Sequence, residues 1–180
     1  MRRGFGTIVC LLTVMTIGAA ANARGSSTLR DGTYANWFAF GIGPAIALLH
    51  SPDQLLLTQT FGHHFTGDAS GPAIAVDLQE HVAGGMFVFQ TGPRFVYDIQ
   101  VIRGVGFYLC PSVGFEYTFS TGGPHHGFSV PFIFKGKLVL GNRGLIFFQP
   151  VGIDLMALFR PDNNYTAMQY DLLFGGGVIF

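Results

Sequence analysis

The residues able to do chemistry are few, and some stand side by side. His63 and His64 are adjacent, as are His125 and His126; His50 precedes Ser51, and Ser120 and Ser129 flank the second histidine pair. A serine activated by histidine and oriented by an acid would be an acyl-transfer nucleophile. Converging imidazoles would suit zinc, copper or nickel. Neither pattern is developed. Adjacent histidines have no diagnostic ligand spacing, and none of these serines lies in a recognisable motif. The run Gly175-Gly176-Gly177 is followed by no helix, so it is no phosphate-cradling loop. No catalytic, cofactor-binding or metal-ligating residue is assigned, and no cofactor is expected. Polar interface positions account for the histidines.

The charged residues form the more telling set. Asp77, Arg94, Asp98, Glu116, Lys135, Lys137, Asp154 and Asp171 are spread over the chain, and what they do depends on the elements that hold them. Those elements are unusually apolar. The chain has 180 residues with 10 Lys+Arg and 10 Asp+Glu, and only 11% are charged, against roughly a quarter in an ordinary soluble domain. There are 19 Phe and 26 Gly, and mean hydropathy is +0.41. A disordered, highly charged chain is excluded by so much apolar area. Nucleic-acid binding gains no support, because there is no basic footprint.

Residues 1–23 read as a processing segment. Arg2 and Arg3 precede an apolar stretch from Thr7 to Ala19, and Ala21-Asn22-Ala23 is a small-x-small cleavage site. This order describes a secretory signal peptide cut after Ala23. Residues 24–35 are then a short lead, and residues 36–180 a single domain. Cys10 leaves with the leader, so Cys110 is the one remaining thiol and no internal disulfide forms. The mature net charge becomes −2.

Beyond residue 23 no apolar run is long enough for a spanning helix. Period-two alternation dominates instead, which predicts strands. From Phe107 to Phe119 the odd positions are Phe107, Leu109, Pro111, Val113, Phe115, Tyr117 and Phe119; the even ones are Tyr108, Cys110, Ser112, Gly114, Glu116 and Thr118. Phe128, Val130, Phe132, Phe134, Leu138 and Leu140 likewise oppose Ser129, Pro131, Ile133, Lys135, Lys137 and Val139. Turn signals place eight strands near 36–49, 54–65, 72–81, 86–98, 105–119, 127–140, 144–158 and 166–180. Pro44, Pro93, Pro111, Pro131 and Pro150 fall inside these strands, where each removes a ladder donor, so local bulges are expected at several of them.

In a soluble sheet the second face would be wet, yet here it is rich in glycine and poor in charge. A membrane barrel reverses the sides, with apolar residues toward lipid and small or polar ones within. The expected fold is therefore all-β: an eight-stranded antiparallel transmembrane β-barrel after a cleaved signal peptide. The eight charges from Asp77 to Asp171 would form a salt-bridged network filling the lumen, because unpaired charge in a narrow interior is costly. A gate or a proton or ion path is the functional alternative. Cys110 is expected to be a buried structural thiol, and Trp37 an interfacial aromatic anchor.

The C-terminus carries a resemblance. Tyr170, Leu172, Phe174, Val178 and a terminal Phe180 alternate along the last eleven residues, with Gly176 interrupting. This resembles the closing strand of small eight-stranded bacterial outer-membrane barrels of the OmpA type. The resemblance implies that these residues are an assembly signal read by the barrel-assembly machinery. It implies a Gram-negative outer membrane with lipids and lipopolysaccharide as surroundings, and a monomer. The short connections depart from the long loops common in that family. With both termini periplasmic, His50, His81, His125 and His126 would lie near the outer rim, and His63 and His64 near the inner one. The expected role is structural or interactive and non-enzymatic. A lipid-modifying outer-membrane enzyme, a narrow ion channel and a soluble lipocalin-like barrel are the alternatives.

Overall fold

The computed structural model describes residues 35–66, 69–102, 105–121, 125–141, 143–159 and 164–180, with His125 described in its backbone alone. The predicted signal peptide, its cleavage residues Ala21 and Ala23, and the lead up to residue 34 lie outside the described residues.

Alternating sequences become strands because each places one side-chain set on either face of a pleated backbone. The described residues form β1 (Asn36–Leu49), β2 (Gln54–His64), β3 (Gly71–Ala83), β4 (Met86–Ile102), β5 (Phe107–Gly114), β6 (Glu116–Ser120), β7 (His125–Leu140), β8 (Gly144–Phe159), β9 (Tyr165–Asp171) and β10 (Leu173–Ile179). Phe115 divides β5 from β6, and Leu172 divides β9 from β10, so each pair is one line of chain with a break in it. Every pairing is antiparallel. β1 pairs with β2 on one side and with β9 and β10 on the other, which closes the sheet into a ring of eight. At the seam, the first strand residue and the last residue of the chain exchange backbone hydrogen bonds: Asn36 N to Phe180 O at 2.9 Å and Phe180 N to Asn36 O at 2.8 Å. β2 and β3 pair without a break from Leu55↔Val82 to His64↔Ala73.

Three of the five in-strand prolines sit where the ladder yields; Pro111 and Pro131 keep unbroken register with Phe134 and Asp154, so the bulges expected there do not form. Pro44 lies opposite the Leu172 break and accepts its N–H at 3.0 Å; Pro93 lies opposite the Phe115 break and accepts its N–H at 3.0 Å. Each is preceded by a glycine, Gly43 or Gly92, where a Cβ would strike the carbonyl oxygen of Leu172 or Phe115. The same Gly-Pro device thus appears twice, letting a partner strand break while its N–H stays paired. Pro150 falls within the register shift where β7 passes from Phe134↔Val151 to Gly136↔Phe148. Two further shifts, at Ala47/Leu49 and Gln100/Ile102, involve no proline. One hairpin closes through Gly84-Gly85, where Gly85 adopts φ 101 and the two-residue loop requires such a conformation.

The ring is apolar outside and polar inside. Phe38, Ile42, Phe61, Phe95, Phe132, Phe148 and Phe174 are among the large apolar side chains exposed around its circumference. Arg94, Asp98, Glu116, Lys137, Gln149 and Asp154 are buried within. This reverses the usual soluble arrangement, in which polar groups cover the surface.

Candidate functional site: the charged interior

The alternation that builds the wall also aims the charges inward. At the end of the ring near the termini, Asp98 on β4 accepts from His64 Nε2 on β2 at 2.7 Å and pairs with the Lys137 ammonium of β7. That ammonium also lies 5.6 Å from the Trp37 ring centre and 5.0 Å from that of Tyr108. Trp37 lies tilted against His64, with ring centres 4.5 Å apart, and occupies the space left by Gly62, where a Cβ would collide with the indole. Trp37 is therefore 6% exposed, and the expectation of an interfacial anchor is corrected. Its odd position shares the inward phase of Ala39 and Gly41, so pleat geometry overrides its aromatic type.

One level further in, the Phe147 ring lies in a trough over Gly41 and Gly175, and the Lys135 ammonium stands 4.8 Å above it. A cavity of about 40 Å³ is bordered by Arg94, Asp98, Cys110, Lys135 and Phe147, space for at most a few waters. Cys110 is buried, with a free thiol. Arg94 contacts Asp77 at 2.6 Å, and the Thr60 hydroxyl donates to Asp77 Oδ1 at 2.5 Å.

Toward the opposite rim, amides replace cations. Gln79 Nε2 donates to both Glu116 oxygens at 3.0 and 2.8 Å. His81 Nε2 pairs with Gln90 Oε1 at 2.9 Å, and Gln90 Nε2 donates to Asp154 Oδ2 at 2.8 Å. Gln169 Nε2 donates to Gln54 Oε1 at 3.1 Å, and Gln149 Nε2 to the Asp171 carbonyl at 3.3 Å.

The eight charged residues singled out from the sequence all project inward, but they do not form one salt-bridged network. Among the described residues, Asp77 pairs with Arg94 and Asp98 with Lys137 and His64. Lys135, Glu116, Asp154 and Asp171 have no ion pair there. The sequence did not show which imidazole and amide partners the interior residues meet: His64 for Asp98, His81 for Gln90, and the glutamines at 54, 79, 90, 149 and 169. Their phase was the available signal, since Gln79 and His81 continue the inward set of Asp77, and Gln90 that of Arg94.

The paired serines and histidines do not converge. His50 Nδ1 faces the Thr166 carbonyl at 3.2 Å, while the Ser51 hydroxyl donates to the Pro52 carbonyl at 3.4 Å. His126 pairs with the Tyr117 hydroxyl on the outer face, whereas Ser120 and Ser129 point inside. At the C-terminus, Phe174 and Phe180 are exposed on the outer face, and Tyr170, Leu172 and Val178 share its phase.

No family model matches the chain, and no curated protein matches it in sequence. Solved structures do. Neisserial surface protein A (NspA) superposes with a TM-score of 0.59 at 13% identity, over 87% of this chain and 100% of that one. The outer membrane protein OprG from Pseudomonas aeruginosa gives 0.47 at 11%, over 82% and 97%. The Yersinia pestis outer membrane protein Ail gives 0.41 at 9%, over 81% and 99%. The likeness to NspA extends over the whole ring and shows a shared fold; at such identity it carries no activity with it.

Proposed function

We propose that the chain is a small, non-enzymatic outer-membrane β-barrel, exported through a signal peptide cut after Ala23, with a structural or interaction role and a largely plugged lumen. The observation that carries this reading is the reversed surface. A closed ring presents Phe, Ile, Leu and Val around its outside and buries its ionisable side chains within. Water would penalise that exterior, whereas a bilayer matches it. Closure leaves no unpaired edge in lipid, where an unsatisfied backbone group is expensive.

Eight strands leave an interior just wide enough for side chains. Trp37, Tyr108, Phe147 and the Asp98–Lys137 pair fill the end near the termini, which supports a plug rather than a diffusion pore. With both termini periplasmic, that end faces the periplasm. The outward row of Tyr170, Leu172, Phe174, Val178 and Phe180 is the proposed signal for the barrel-assembly machinery, and membrane lipids and lipopolysaccharide are the proposed surroundings.

Heat-modifiable gel migration of the outer-membrane fraction, with protease added to intact cells, tests this reading. A fast-migrating folded band in that fraction is expected. Recovery in the soluble periplasm, with no shift on boiling, overturns it.

A further inference from the structure

Among the described residues, the half of the interior away from the termini holds carboxylates with no cationic partner. Among the described residues three cationic side chains point inward: Arg94 pairs with Asp77, Lys137 pairs with Asp98, and Lys135 stands over the Phe147 ring. Asp154 on β8 and Asp171 on β9 have no cationic partner among the described residues. Both are at least 97% buried. Removing a carboxylate from water without compensation costs several kcal/mol, so a buried pair of this kind calls for a partner.

The surroundings point to what that partner is. Asp154 stands directly across from Gln169 in the β8–β9 register, and Asp171 is two residues further along. Gln149 reaches the same place, since its amide nitrogen touches the Asp171 carbonyl. Each of the four side chains keeps one oxygen without a donor: Gln149 Oε1, Asp154 Oδ1, Gln169 Oε1 and Asp171 Oδ1. The other ends of three of them are tied down. Gln169 Nε2 is held by Gln54 and Ser51, Gln149 Nε2 by the wall, and Asp154 Oδ2 by Gln90. The spare oxygens are thus on the ends left free. Gly152 lies among them, and a Cβ there would strike the Gln149 amide and come within 3.0 Å of Asp171.

We propose that Asp154, Asp171, Gln149 and Gln169 form a binding site for a hard divalent cation, calcium foremost. The donors are all oxygen, two of them anionic, and their charge equals that of the ion. Calcium takes such carboxylate and amide oxygens in irregular geometry and completes its shell with water, whereas magnesium demands a near-ideal octahedron. Softer metals are disfavoured, because the donors lack nitrogen and sulfur. Ser51 and Gln54, at the β1–β2 turn, roof the group, so the ion enters from the rim opposite the termini. Glu116 lies outside the set, because both of its oxygens accept from Gln79.

The test is titration calorimetry of the full folded protein in zwitterionic detergent, free of lipopolysaccharide, with calcium chloride as the probe. One ion per chain is expected, with a Kd of about 10⁻⁴–10⁻³ M, together with a higher unfolding temperature in calcium. Asp154→Asn and Asp171→Asn should each weaken binding by about tenfold or more and raise the unfolding temperature of the calcium-free protein. Glu116→Gln should weaken binding less than either asparagine substitution, since both Glu116 oxygens accept from Gln79. Absence of binding up to about 10 mM calcium, or binding that survives either asparagine substitution, overturns the proposal. The fold and the membrane location stand in either case, since gel migration reads them separately.

Discussion

Arg94 and Asp77 form a two-pronged contact inside the ring, with Nη1 2.6 Å from Oδ2 and Nη2 2.9 Å from Oδ1. They lie on neighbouring strands, and both are nearly inaccessible. Breaking such a pair strands one charge in a dry interior. Arg94→Met alone should therefore cost about 3–5 kcal/mol of folding stability. Asp77→Leu combined with Arg94→Met should recover most of that loss, because two apolar groups leave no orphan charge. Urea unfolding in detergent micelles reads both variants. A double variant as unstable as the single one would argue against this balance.

Lys135 and Lys137 are two residues apart on β7, yet their surroundings differ. Lys137 neutralises Asp98, while Lys135 stands over the Phe147 ring at 4.8 Å and has no ion pair among the described residues. Lys135→Met gives up a cation–π contact of about 0.5–2 kcal/mol and relieves a buried charge. Its stability should stay close to that of the parent. Lys137→Met takes from Asp98 its ammonium partner and should destabilise clearly. Equal losses in urea unfolding would contradict the distinction.

Trp37 is the sole tryptophan of the chain, so its fluorescence reports its position directly. Pointing inward against His64, it should be quenched only weakly by lipids brominated along their acyl chains. A Trp37→Phe, Phe38→Trp protein moves the indole one residue along the strand and onto the opposite face, where strong quenching is expected. Similar quenching of the two proteins would return Trp37 to the role of an interfacial anchor.

Gly92 faces the backbone where β5 and β6 part, and a Cβ there would meet the Phe115 carbonyl. Gly92→Ala should cost about 1–3 kcal/mol through overpacking. Gly84→Ala is the matched control, since nothing lies within 4 Å of the added atom, and it should be close to neutral in the same unfolding assay.

Phe132 is exposed in the middle of β7, on the surface proposed to face lipid. Phe132→Arg should destabilise the folded protein in bilayers by about 2–4 kcal/mol, the cost of a cation near the midplane. Refolding into vesicles across a urea series measures it. A neutral outcome would place that surface in water.

The period-two pattern by itself determined where most strands run and which face most of their side chains take. The expected strands at 36–49, 144–158 and 166–180 meet β1, β8 and the β9–β10 line within one residue at each end. Alternation has this power because a strand has only two faces, so one reliable residue sets the phase for its neighbours. The sequence also raised its prolines as a difficulty without showing how they are met. Only the tertiary structure decided that Pro44 and Pro93 stand opposite breaks, because this depends on which strands lie alongside. The interior partners were equally out of reach. Asp98 meets His64 and Lys137 from β2 and β7, separations of 34 and 39 residues, and Asp154 meets Gln90 across 64 residues. Phase sends a side chain inward; closure and register decide whether it finds a cation, an amide or no partner.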